Sequence, residues 1–158
     1  HGGTGSKSEM ADHPLFYPDR LEAGTLNAVG IIGLNAGIQH VLGKGINNIR
    51  KSLSELTRYF MNECNQIDGI SLYGPSASED RLPLVSMNIQ NLAPADIAST
   101  LDKDYGIMVR PGLHCSPLAH QTIGTFPGGT LRFSFGCFST EEEAKLSIEA
   151  LKKIVSKH

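Results

Sequence analysis

The chain has no tryptophan, and aromatic residues make up only 6% of its 158 positions. A core built from it must rest on aliphatic side chains and a few phenylalanines. Its three cysteines, Cys64, Cys115 and Cys137, are an odd number and thinly spread, which argues against a disulfide scaffold and fits free thiols in a reducing, cytoplasmic setting. Charge of one sign is also lacking: 14 Lys+Arg against 16 Asp+Glu leave a formal net charge of -2. With no Lys/Arg run in addition, nothing marks a nucleic-acid partner. No apolar run approaches the ~18 residues of a membrane helix, and no charged-then-apolar leader opens the chain, so no membrane partner is expected.

Glycine, by contrast, is plentiful at 17 residues, so many positions are given to backbone geometry. The length suits one domain. Yet the chain opens on His1 and runs at once into Gly2-Gly3-Thr4-Gly5-Ser6. Such a loop ordinarily joins two elements. It reads either as a flexible terminus or as the start of the C-terminal piece of a longer protein.

Residues 1–24 carry Pro14, Pro18 and Gly24 and little periodicity. Thr25 and Asn27 are both suited to cap a helix, and Val29, Ile32, Gly33, Ala36, Gly37 and Val41 then recur at helical spacing up to Gly43-Lys44-Gly45. The small residues of that helix suggest close packing on another backbone. A second helix carries Ile46, Ile49, Leu53, Leu56, Phe60 and Cys64 on one stripe. Strands are expected at Ile70–Tyr73, Leu84–Ile89, 105–109 and 130–135. Residues 76–80 read as a polar turn. Pro94 suits the first turn of a short helix, and 120–124 one helical turn. The last helix starts with a capping box, either Ser139 with Glu142 or Thr140 with Glu143. The order α-α-β-β-α-β-β-α describes an α+β fold, a three- to four-stranded, mainly antiparallel sheet covered on one face by helices.

Three places could carry chemistry. Cys115 follows Arg110-Pro111-Gly112-Leu113-His114 and precedes Ser116-Pro117. Two prolines and a glycine there indicate a loop. A nearby Arg or protonated His favours the reactive thiolate, although an ordinary surface loop would also accommodate a cysteine. A metal set of His114, Cys115, His120 and Cys137 has poor spacing for zinc, so no metal is expected. Arg132 alternates with Leu131 and Phe133 in its strand; it is either an exposed face residue or a planar fork for a carboxylate. Gly24-Thr25 ahead of a helix suits either a phosphate or plain capping. Cys64 reads as core, and Cys137, among Phe133, Phe135 and Phe138, as near-core.

Taken in order, these segments resemble the C-terminal part of the class V aminotransferase family, and within it the cysteine desulfurases. The resemblance rests on Gly2-Gly3-Thr4-Gly5-Ser6, on 20–27 with 30–34, on the whole of 106–117 with its short Arg-x-Gly-x-His-Cys loop, and on Leu131-Arg132-Phe133-Ser134. It implies the small C-terminal domain of a fold-type I pyridoxal 5'-phosphate enzyme. Residues 1–24 would be a loop continuing from a missing large domain, and 25–158 the small domain. The implied reaction takes sulfur from L-cysteine, leaving L-alanine, and passes it to a sulfur-acceptor protein. By resemblance, Cys115 is the nucleophile that becomes a persulfide, and Arg132 binds the substrate carboxylate. Arg110 and His114 shape and polarise the loop. Thr25 reaches the cofactor phosphate of the neighbouring subunit in a homodimer.

The family's Schiff-base lysine precedes the Gly-Gly-Thr-Gly segment, and no lysine here (Lys7, Lys44, Lys51, Lys103, Lys145, Lys152, Lys153 or Lys157) stands in a matching context. The chain by itself is therefore expected to be inactive. Alternative readings are another class V aminotransferase or a selenocysteine lyase, and a non-catalytic truncated dimerisation module.

Overall fold

The structure, a computed structural model, describes residues 5–22, 24–77 and 80–157. Part of the expected 76–80 turn and the Gly2-Gly3-Thr4 segment lie outside the described residues. The chain divides into two compact units, His1–Ile46 and Asn47–His158.

The first unit holds a short 3-10 turn, Asp19–Leu21, and helix α1, Ala28–Lys44. Of the two expected caps, Asn27 takes the position: its side-chain oxygen accepts the Gly30 N–H at 3.0 Å, satisfying one of the free donors of the first turn. No residue of α1 is buried within the described chain, and its apolar Val29, Ile32 and Leu34 are all exposed.

The second unit contains α2 (Ile46–Cys64, which starts at the boundary), β1 (Ile70–Tyr73), β2 (Leu84–Ile89), α3 (Pro94–Tyr105), β3 (Arg110–Gly112), α4 (Pro117–Thr122), β4 (Thr130–Ser134) and α5 (Glu141–Val155). The sheet order is β1-β2-β4-β3, and every pairing is antiparallel. Alternation decides the faces. Val85, Met87 and Ile89 of β2 and Leu131 and Phe133 of β4 are buried. They join one core with Phe60, Met61 and Cys64 of α2, Ile97 and Leu101 of α3, and Ile148, Leu151 and Ile154 of α5. The intervening Ser86, Asn88, Arg132 and Ser134 stand half-buried or exposed on the opposite face. With no tryptophan, Phe60 is the aromatic centre: its ring lies 4.9 Å from that of Phe133 and 5.2 Å from that of Phe135.

Three expected boundaries are corrected. The strand expected at 105–109 lies at Arg110–Gly112. Helix α3 extends to Tyr105, and Gly106 at φ 66 closes it. The Gly106 N–H reaches the Asp102 carbonyl at 3.1 Å and the Ile107 N–H reaches that of Leu101 at 2.9 Å, so these donors serve the helix end and not a ladder. Part of the expected cysteine loop is consequently strand, and Pro111 is tolerated there because β3 is an edge. The helical turn expected at 120–124 starts earlier, with Pro117 at its first position. Of the two capping boxes, Thr140 with Glu143 forms: the Thr140 N–H donates to Glu143 Oε2 at 2.8 Å, and the Glu143 N–H to Thr140 Oγ1 at 3.2 Å.

Replacing the central Phe60 by Ala is expected to cost about 3–5 kcal/mol, read as a drop in the urea midpoint at unchanged slope. Cys64 adds a pH dependence. Burial, reinforced by the neighbouring Glu63 charge, pushes its thiol from an ordinary 9.0 up to about 12. Below 9.0 the thiol is protonated in the folded and the unfolded chain alike. Between 9.0 and about 12 only the unfolded chain releases the proton, so stability falls as pH rises through that window. Urea midpoints on both sides of pH 9.0 should show this loss, and Cys64→Ala should reduce it.

Candidate active site

The end of β3 hands the chain directly to Leu113, His114 and Cys115 before α4 begins. The loop is tight: the Ser116 N–H closes onto the Leu113 carbonyl at 2.9 Å, and His114 and Cys115 both take left-handed backbone angles, φ 53 and φ 61. For residues with a Cβ this conformation costs about 1–2 kcal/mol each. It persists where the surroundings over-determine it, and here they do. His114 Nε2 lies 3.2 Å from Oγ1 of Thr130, which is fully buried. The His114 ring also faces that of His120, 5.5 Å away. Arg110 Nη2 donates to Cys115 Sγ at 3.6 Å.

The approach of two backbones sets the position of β3. Gly112 pairs with Thr130, and a Cβ on the preceding Gly129 would fall 2.2 Å from the Gly112 carbonyl carbon. Only glycine, at φ +77, permits this contact. The same ladder sets Arg110 directly opposite Arg132, so both side chains leave the same face. Like charges in that relation repel, and an anion between them relieves the repulsion.

Three buried polar atoms at this corner have no partner: Arg132 Nε, His114 Nδ1 and Asn88 Oδ1. Asn88 is tied here by its Nδ2, which donates to the Gly129 carbonyl at 3.2 Å. Unpaired buried groups in one place mark a site built for something further. His114 titrates below its ordinary value of 6.5, first because it is buried and then because Arg132, His120 and Arg110 face it. The ring beside the thiol is therefore neutral at pH 7, and the cation facing Cys115 is Arg110.

The structure thus brings Cys115, Arg110, His114 and Arg132 to one corner of the sheet. Cys115 and Arg110 are exposed, and His114 and Arg132 are half-buried. Thr25 lies in the other unit, exposed, two residues before the Asn27 cap of α1. Among the described residues no group of three or more His, Cys, Asp or Glu could hold a metal, and no helix is long and apolar enough to cross a membrane. The sequence reading left Asn88, Thr125, Gly129 and Thr130 out of the site, and weighed His120 only in the rejected metal set. Each reaches the site through long-range pairing or a turn, and none carries a local signature.

Residues 6–146 match the family described as aminotransferase class-V. A probable cysteine desulfurase of Methanothermobacter thermautotrophicus is 38% identical over 139 residues, 87% of this chain and 34% of that protein. A cysteine desulfurase of Escherichia coli O157:H7 is 35% identical over 139 residues, 87% of this chain and 32% of that protein. Among solved structures, an apo cysteine desulfurase from Thermococcus onnurineus NA1 superposes with a TM-score of 0.82 at 33% identity, covering 89% of this chain and 34% of that one. The chain spans about a third of the length of the curated relatives it matches.

The neutral state of His114 is directly measurable. Its ring C2 proton is expected to titrate below 6.5 in an NMR series. Arg132→Gln should move the midpoint upward, because one of the facing cations is gone. A midpoint at or above 6.5 in the parent protein would contradict the assignment.

Proposed function

The chain belongs to the class V aminotransferase family, and from that premise we propose that it is the C-terminal portion of a pyridoxal 5'-phosphate-dependent cysteine desulfurase. The observation that carries this reading is the pairing of an exposed thiol with a guanidinium at 3.6 Å, next to a second arginine held directly opposite the first. A family member that only moved an amino group would have no use for that thiol.

The residues present fit the substrate end of such a site. Arg132, with its buried Nε unpaired, is a planar donor fork for the α-carboxylate of L-cysteine. Anchoring the carboxylate there brings the substrate sulfur toward Cys115. Arg110 donates to Cys115 Sγ and so holds the sulfur in place for attack. Cys115 Sγ attacks the substrate sulfur, an S–S bond forms, and the carbon–sulfur bond breaks with its electron pair left on carbon. That carbon takes a proton to give L-alanine, and Cys115 keeps the sulfur as a persulfide. Pyridoxal phosphate, when bound, supplies the electron sink for that cleavage. The neutral His114 shapes the loop without adding a charge that would compete with Arg110.

By the family resemblance, Thr25, just ahead of α1, is suited to the cofactor phosphate, in the family's homodimer that of the neighbouring subunit. By the family resemblance, no lysine of this chain stands where the Schiff-base lysine of the family does. Covalent attachment of the cofactor is accordingly assigned to a part of the enzyme before residue 1, with 1–24 as the connecting loop and 25–158 as the small domain. A sulfur-acceptor protein would collect the persulfide from the exposed Cys115, in a cytoplasmic setting where thiols stay reduced.

In the full-length enzyme, Cys115→Ala is expected to lower alanine formation from L-cysteine by at least about 10³-fold, as loss of a nucleophile does, with the absorbance of the bound cofactor unchanged. Arg132→Lys should raise KM for L-cysteine by about tenfold or more, because one point charge replaces a two-pronged fork. The 158-residue chain alone, mixed with pyridoxal phosphate and L-cysteine, should release no sulfide. Desulfuration that survives Cys115→Ala would overturn the reading.

A further inference from the structure

Five polar residues are buried among the described residues: Thr57, His120, Thr125, Thr130 and Ser147. Two of them are explained by their own helices, since Thr57 Oγ1 donates to the Leu53 carbonyl and Ser147 Oγ to that of Glu143. The other three gather around the cysteine loop, and His120 is the one with the most connections. It sits in α4, five residues after Cys115, and is 4% exposed. Its carbonyl accepts the Thr125 N–H at 2.8 Å and the Phe126 N–H at 3.1 Å. Its ring Nδ1 lies 2.7 Å from Thr125 Oγ1. Thr125 continues the chain of bonds: its carbonyl accepts the Gly129 N–H at 2.7 Å, and Gly129 lies against Gly112 of β3.

The His120 ring lies beside that of His114, with centroids 5.5 Å apart and planes tilted by 48°. The left-handed pair His114–Cys115 has little of its own to hold it, a single turn hydrogen bond from Ser116 to Leu113. His114 is instead held at two places, by Thr130 at Nε2 and by the His120 ring. The groups facing His114 are Arg132 on β4, Arg110 on β3 and His120 on α4.

We propose that His120 is a positioning residue for Cys115: oriented by Thr125, its buried ring holds His114 against Thr130 and so keeps the left-handed turn that sets the Cys115 sulfur beside Arg110. Its meaning for catalysis rests on the reading of Cys115 as the sulfur nucleophile; its geometry does not. His120 itself touches neither the sulfur nor a substrate in this account.

The test uses the 158-residue chain without cofactor, so it stays independent of desulfurase activity. Alkylation of Cys115 by iodoacetamide at neutral pH reports whether the sulfur still sits beside Arg110, because an exposed thiol next to a guanidinium reacts faster. His120→Ala is expected to slow that alkylation by about fivefold or more, and Arg110→Ala by a comparable factor. Thr125→Val, which removes only the orienting hydroxyl, should slow it by about two- to threefold. His120→Phe keeps a ring against His114 and should restore the rate to within about twofold of the parent. In both His120 variants the NMR titration of His114 should move upward, because one facing ring that can carry charge is gone.

Alkylation unchanged in both His120→Ala and Thr125→Val overturns the proposal. If His120→Ala loses its helical circular dichroism, an unchanged rate in Thr125→Val overturns it alone. A His120→Phe variant as slow as His120→Ala also overturns it, since the ring contact would then not be what positions the loop. Should the full-length enzyme prove not to desulfurate cysteine, these alkylation and titration results would stand unaffected.

Discussion

Gly129 and Gly112 approach so closely that a side chain on Gly129 would overlap the backbone of β3. This contact brings the short edge strand Arg110–Gly112 against β4, and the candidate site depends on it. The ladder is only three residues long, and at Gly129 no side chain stands between it and the backbone of β3. From it follow the opposition of Arg110 and Arg132, the reach of Arg110 to Cys115, and the seating of His114 on Thr130.

The core makes that corner rigid without taking part in it. Alternation sends Val85, Met87, Leu131 and Phe133 toward α2, α3 and α5, leaving Ser86, Asn88, Arg132 and Ser134 on the opposite face. A sheet with helices on one side has a second side to offer. Here that side carries two cations, one thiol and three unpaired buried polar atoms. One buried and one exposed cysteine divide along the same line. Cys64 is buried and its thiol is pushed up to about 12, which keeps it inert. Cys115 is exposed beside a guanidinium, which suits attack on sulfur.

Much of the fold was legible where the signal is local. β1 and β2 have the expected limits, Pro94 opens α3, and Thr140 with Glu143 caps α5, because alternation, proline at a first turn and a capping box act within a few residues. The strand expected at 105–109 failed because a helix end and a strand start compete for the same donors, and Gly106 settles the matter for the helix. Pro111 seemed to forbid a strand. An edge position permits one, and edge or centre is a property of the sheet, not of the segment.

For the site, the amino-acid sequence by itself determined the chemical inventory: a cysteine flanked by Arg110 and His114, an arginine alternating with core residues in a strand, and the family to which their order points. Tertiary structure alone decided the relations among them. Arg132 stands opposite Arg110 because of a register across twenty-two residues of chain. His114 titrates below its ordinary value because it is partly buried and because cations from β3 and β4 and a ring from α4 face it. His120 and Thr125 join the site through the turn between α4 and β4, which sets the His120 ring beside His114. Local sequence sets which groups are available, through propensity and side-chain chemistry. Distances and charge states arise from contacts between residues far apart in the chain, and no window of sequence contains them.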